Sequence, residues 1–164
     1  MAADRNRRLV ALVALSLLVG VVGCDEDGGT VTGSPTATLS GTIALGPDRG
    51  IDFANGDAVS PGNWGNSDVF ATANGDSLKL TAGGPTPTKN RPVDWFRTAG
   101  NVHKKYDSLA DVPNTKPTSA TYPSLLHAEV GHAFSVQTME GDYVKGRVTA
   151  ASAVSVTIEY VSVP

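Results

Sequence analysis

The stretch Ala153-Val-Ser-Val-Thr-Ile-Glu-Tyr-Val-Ser-Val163 decides the fold class. In an extended chain successive side chains point to opposite sides, so Val154, Val156, Ile158 and Tyr160 share one face while Ser155, Thr157 and Glu159 share the other. Such alternation predicts an antiparallel strand with one face on a core and one toward water. Immediately upstream, His132-Ala-Phe-Ser-Val-Gln-Thr-Met139 and Tyr143-Val-Lys-Gly-Arg-Val-Thr149 flank Glu140-Gly141-Asp142, a short Gly-containing connection suited to a hairpin. Residues 132–163 therefore read as a three-stranded meander.

Working further toward the N-terminus, Ala37–Leu45, Asp68–Ala73, Ser77–Leu80 and Val93–Thr98 are the earlier strand candidates. Asn74-Gly75 supplies a dipeptide that tolerates positive φ in a tight turn. Helical periodicity is almost absent, and Gly, Pro, Asn, Asp, Ser and Thr punctuate the chain throughout. The expected fold is all-β, an antiparallel sheet or sandwich of short strands with long Pro/Gly-rich loops. One such loop is Gly83–Pro92, where three prolines remove donors and fix φ. Another is Tyr106–Pro123, where Asp107 or Ser108 is placed to cap one helical turn across Leu109-Ala110-Asp111.

The other end of the chain has a different character. Arg5, Arg7 and Arg8 precede the uncharged run Leu9–Gly23 (LVALVALSLLVGVVG), the charged and apolar regions of a secretory signal. At roughly 1.5 Å per residue this run reaches only about 22 Å, short of the roughly 30 Å of bilayer hydrocarbon, which disfavours a transmembrane helix. It ends in Val21-Val22-Gly23-Cys24, which resembles the lipobox of bacterial lipoproteins. Gly23 admits a peptidase to the backbone, and the Cys24 thiol is nucleophilic enough to accept diacylglycerol as a thioether. Cys24 is the only cysteine, so no disulfide can form within the chain. Two or three acyl chains, such as palmitate, at roughly 0.8 kcal/mol per buried CH₂ make such an anchor effectively permanent.

The expected organisation is a signal peptide over 1–23, a lipidated cysteine with a flexible acidic tether over 24–36, and a single β-rich domain over 37–164. The tether, with Asp25, Glu26 and Asp27 followed by Gly, Thr, Ser and Pro, lacks buriable surface to offset its ordering entropy. Localisation reads as the bacterial cell envelope, with the bilayer as a partner through acylated Cys24. The acids after Cys24 resemble an inner-membrane retention signal in enteric bacteria and a surface-export signal in other lineages, and both readings stand.

The whole chain has 13 Lys/Arg and 16 Asp/Glu. Residues 1–23 hold three Arg and one Asp, so the mature remainder carries ten bases against fifteen acids, a formal charge of −5. No basic stripe exists beyond Lys104-Lys105, which argues against a nucleic-acid partner.

Candidates for chemistry are few. His127-Ala-Glu-Val-Gly-His132 departs from H-E-x-x-H: the offset is five, and Gly131 favours a turn. A strand would put His127 and His132 on opposite faces, so no metal site is assigned. No G-x-S-x-G presents a nucleophilic serine, and Gly62-Asn-Trp-Gly-Asn66 precedes a strand rather than a helix, so it is no phosphate cradle. No catalytic residue is assigned. Asp52, Asp57, Asp68 and Asp94 leave open an envelope hydrolase that uses paired carboxylates, provided they converge. Trp64, Trp95, Phe96, Tyr106 and Tyr122 fall in or beside loops, where exposed rings would form a stacking surface for a ligand.

Gly50-Ile-Asp-Phe-Ala-Asn-Gly56, Asn66-Ser-Asp-Val-Phe70 and Val130-Gly-His-Ala-Phe-Ser-Val-Gln-Thr-Met-Glu-Gly-Asp-Tyr-Val-Lys145 give the domain a resemblance to the HmuY-like group of exported β-rich lipoproteins. The resemblance covers about two thirds of the domain. It implies an all-β, non-catalytic binding module, and its best-known members bind haem through two axial histidines. His132 belongs to the hairpin motif, which leaves His103 and His127, beside Trp64 and Trp95, as the ligand-binding candidates. The reading is thus of a binding module for a small ligand, with haem as its named form, or for an envelope-protein partner. A structural or assembly lipoprotein is the third possibility.

Overall fold

The computed structural model describes residues 39–84, 91–118 and 125–164, and all of its regular structure beyond one 3-10 turn at Trp64–Asn66 is β. The strands are β1 (Ser40–Leu45), β2 (Arg49–Asp52), β3 (Asp57–Val59), β4 (Val69–Asn74), β5 (Ser77–Ala82), β6 (Val93–Asp94), β7 (Leu125–His127), β8 (Ala133–Gln137), β9 (Tyr143–Ala151) and β10 (Val156–Ser162). They form two five-stranded antiparallel sheets, β1-β10-β9-β8-β6 and β3-β2-β4-β5-β7. One shared core lies between them, with Leu45, Phe134, Val136, Val148, Val156 and Ile158 from the first sheet and Ile51, Val69, Leu78, Leu80 and Leu126 from the second. The all-β sandwich expected from the sequence is what the chain forms.

The final meander is present as read: β8 pairs with β9 and β9 with β10. Val156 and Ile158 are fully buried and Tyr160 nearly so, while Thr157 and Glu159 are only half-buried on the outer face. A bulge between Thr157 and Ile158 skips Thr149 on β9, which keeps Val148 opposite Ile158 and both on the core side. The strand starts two residues later than the alternation suggests. Ser152 Oγ accepts the Val154 and Ser155 amides in a side-chain turn, leaving Val154 70% exposed.

Asn74 and Ser77 pair across a two-residue loop, Gly75-Asp76, with Gly75 at φ 63 in the first loop position, as a II′ turn requires. The expected strand Val93–Thr98 contracts to β6, followed by an isolated bridge between Arg97 and His103. The helical turn expected at Leu109–Asp111 is an irregular turn, in which the Asp111 and Val112 amides bond back to the Ser108 and Leu109 carbonyls. Residues 85–90 of the expected Gly83–Pro92 loop, and 37–38 of the first strand candidate, lie outside the described residues.

Every residue of β8 from Ala133 to Val136 is buried, on both faces. The inner face meets the core. The outer face is covered by the segment from Tyr106 to Thr115, which the sequence marks only as loop. Phe96, Tyr106 and Val112 pack there on Ala133 as a second small cluster. Three side chains from the sheet bond to carbonyls of that segment: Ser135 Oγ to Thr115 (2.7 Å), Lys145 Nζ to Val112 (2.7 Å) and Arg147 Nε to Tyr106 (2.7 Å).

At the centre of the core Phe134 lies 6.2 Å from Phe53 and 5.6 Å from Trp95, ring to ring, and Phe53 lies 4.9 Å from Tyr160. Room for Phe134 comes from Gly146 directly opposite it on β9, where any Cβ would overlap the ring. Gly146→Ala is expected to lower stability by about 1–3 kcal/mol, the usual cost of overpacking a core, read as a lower urea midpoint at unchanged slope.

Candidate functional site

Three carboxylates, Asp52, Asp68 and Glu140, place their oxygens within 4.8 Å of one another. Of the four aspartates marked in the sequence, only Asp52 and Asp68 belong to this group. Asp68 is fully buried, and its two oxygens accept backbone N–H bonds from separate parts of the chain. Oδ2 takes the amide of Phe53, just after β2 (2.9 Å), and Oδ1 takes that of Met139, just after β8 (2.8 Å). Arg91 Nε lies 3.4 Å from Oδ1 and 3.3 Å from the Ser67 carbonyl. Asp52 is tied up locally by the Ala54 amide and the Asn55 side chain. With Asp68 sealed from solvent and saturated by amides, the group works as a clamp joining the β2–β3 turn to the β8–β9 turn.

Burial pushes the Asp68 carboxyl up to about 6, outweighing the two amides and Arg91, with nearby Glu140 adding to the rise. The folded state therefore holds a proton that the unfolded chain releases near pH 4. Stability from this group is full below that pH and is lost as pH rises through about 6.

The same two turns line a cleft of about 590 Å³, bounded by Leu39, Ala54, Lys116, Thr138, Tyr143 and Val163 among others. Its walls are largely apolar, with a few polar groups at defined places, the usual make-up of a small-ligand site. Lys116 Nζ sits 5.8 Å from the centre of the Tyr143 ring. Thr138 is almost fully buried, and its hydroxyl has no hydrogen-bond partner among the described residues. Nothing in the sequence marks this cleft, because its lining comes from five separate segments of the chain.

Among the residues singled out in the sequence, Trp95 is 2% exposed and is a core anchor against Phe134. Phe96 and Tyr106 are buried as well, so the expected surface of exposed rings does not form from these three. They look loop-bound in the sequence because β6 is only two residues long. Trp64 is 44% exposed and packs beside Phe70 and Gly84. Cys24 and Tyr122 lie outside the described residues.

The histidines do meet. One isolated bridge, Arg97 with His103, closes the segment 97–106 on itself, a second, Lys105 with His132, holds it against the turn before β8, and the centres of the His103 and His132 rings come to 5.3 Å. Gly131 (φ 89) makes that turn, where a Cβ would press on Lys105 and the Tyr106 carbonyl. His127 is exposed at the end of β7, and it is its carbonyl that meets His132 Nδ1, at 2.6 Å. Burial first, and Arg97 second, hold the His103 imidazole below its ordinary value. Of the two tryptophans, Trp95 reaches the His103 ring through its backbone.

No family model, curated protein or solved structure matches the chain.

Asp68→Ala leaves the Phe53 and Met139 amides without acceptors and Arg91 without its partner. It is expected to cost about 3–5 kcal/mol at pH 7 by denaturant unfolding. In the unaltered chain, stability should fall by on the order of 3 kcal/mol between pH 4 and 7 from this carboxyl alone. Asp68→Asn, which cannot titrate, should remove that part of the slope.

Proposed function

We propose that the chain is an exported lipoprotein held at a membrane through Cys24, whose β-sandwich is a non-catalytic binding module. The cleft between the β2–β3 and β8–β9 turns carries the reading. It combines apolar walls with a lysine, a tyrosine ring and an unpartnered buried hydroxyl, which suits a small ligand with an apolar body and an anionic or hydrogen-bonding end. The run Leu9–Gly23, the terminal Cys24 and the acidic tether support the anchor. A non-catalytic role is supported by the carboxylate group, whose most buried member is spent on backbone amides rather than facing the cleft.

Haem is the ligand that the sequence resemblance suggests, through His103 and His127. Neither is among the residues lining the cleft. The two ligand classes are thus separable by experiment.

For the anchor, Cys24→Ser should abolish acyl labelling and release the protein from membranes, and full retention with label would refute it. For the ligand, anilinonaphthalene sulfonate, an apolar anion, should bind the folded protein saturably. Lys116→Glu or Val163→Trp should weaken this by about tenfold, or 1.4 kcal/mol. Haemin binding whose Soret shift disappears in His103→Ala and His127→Ala would move the site from the cleft to the histidines.

A further inference from the structure

We infer that the cleft lined by the β2–β3 and β8–β9 turns holds one acyl chain of a membrane phospholipid whose head carries both a phosphate and an ammonium. The inference rests on the cleft as the ligand site and names the class of molecule it takes. Much of the wall is built at one end of the first sheet, where β1 and β9 begin and β10 ends. Leu39 and Val163 line the cleft there, and main-chain bonds fix both. The Leu39 carbonyl accepts the Ser162 amide at 2.7 Å, and the Val163 amide donates to the Tyr143 carbonyl at 2.7 Å. This part of the wall belongs to the sheet itself and is formed before any ligand arrives.

Size sets the apolar part of the ligand. A methylene takes about the volume of a liquid water, roughly 30 Å³, so a cleft of about 590 Å³ accepts one chain of up to about twenty carbons and no second chain. Charge sets the head. Lys116 and Asp142 both line the cleft at exposed positions, and no ion pair joins them. Lys116 suits a phosphate as a point charge, and Asp142 suits an ammonium beside it. The Thr138 hydroxyl, buried and without a partner among the described residues, is available to an ester or phosphate oxygen.

Chain connectivity supplies the lipid. Leu39 lines the cleft and is also the first described residue after the tether, with fourteen residues between it and Cys24. An anchor at Cys24 leaves only those fourteen residues of chain between the acylated cysteine and the wall of the cleft. The lipids around the anchor are then the amphiphiles at highest effective concentration for this site.

The test uses the full chain in vesicles of phosphatidylethanolamine and phosphatidylglycerol in equal parts. The photo-crosslinking residue p-benzoylphenylalanine replaces Ala54, an exposed position on the cleft. After irradiation, mass spectrometry of the intact chain should show an adduct of one phosphatidylethanolamine. The same crosslinker in place of Val154, which is exposed at the opposite end of β10 from Val163, should give only background. Val163→Trp, which fills the cleft, and Lys116→Glu, which removes the partner of the phosphate, should each lower the adduct by about tenfold. Near-ultraviolet circular dichroism checks that each variant is folded. The inference is overturned if position 54 gives no adduct, if position 154 gives as much, if the adduct is phosphatidylglycerol instead, or if either substitution leaves it unchanged. Saturable binding of anilinonaphthalene sulfonate without a lipid adduct would end this inference alone, whereas absence of both would end the cleft as a ligand site.

Discussion

The Asp68 carboxylate is the constraint on which the rest of the structure depends. A sandwich is held mainly by the apolar residues between its sheets, but that attraction has no direction and does not by itself align one sheet on the other. Asp68 adds direction. It immediately precedes β4 and accepts one amide from the turn after β2 and one from the turn after β8, so the β2–β3 and β8–β9 turns are held at a fixed spacing. Fully buried ionisable groups are rare unless paired, and two backbone amides and a guanidinium contact offset only part of the solvation this one forgoes.

The outer face of the first sheet is organised by the same logic with opposite charge. Lys145 and Arg147 leave a strand and end on backbone carbonyls of the covering segment, where a loop without regular structure has acceptors to spare. Arg147 also pairs with Glu159 on the neighbouring strand at 2.8 Å. Tyr106 and Val112 then bury their side chains against Ala133 instead of facing water. The bridge from Lys105 to His132 belongs to this covering layer, so the meeting of the histidines is a by-product of how the sheet is roofed.

Much of the fold was legible in the sequence because its strongest strands carry their own pattern. β9 and β10 alternate cleanly, and the Gly-containing connections sit where they must. β2, β3 and β7 were not legible: with four, three and three residues, they are too short to show a period. Their pairing is set by neighbours already in place. Trp95 was misplaced for a related reason, since the strand that buries it is two residues long and the surrounding sequence is that of a loop. The site was less legible still. Met139 and Asp68 are distant in sequence and joined by a backbone amide, a group every residue but proline possesses, so no residue type announces the contact. His103 and His132 carry the right chemistry, but only an isolated bridge brings them together.

The pairing of β1 has a consequence for the order of events as the chain is made. β1 is an edge strand whose one sheet neighbour is β10, with Ser40 opposite Val161 and Leu45 opposite Val156. β1 is made well before β10 and waits for it, and β10 itself lies between β1 and β9. Pairings that span nearly a whole chain are slow to form because the loop they close must be ordered first. β1 therefore stays unpaired while hairpins such as β4–β5 can already close, and its sheet is completed only when β10 arrives.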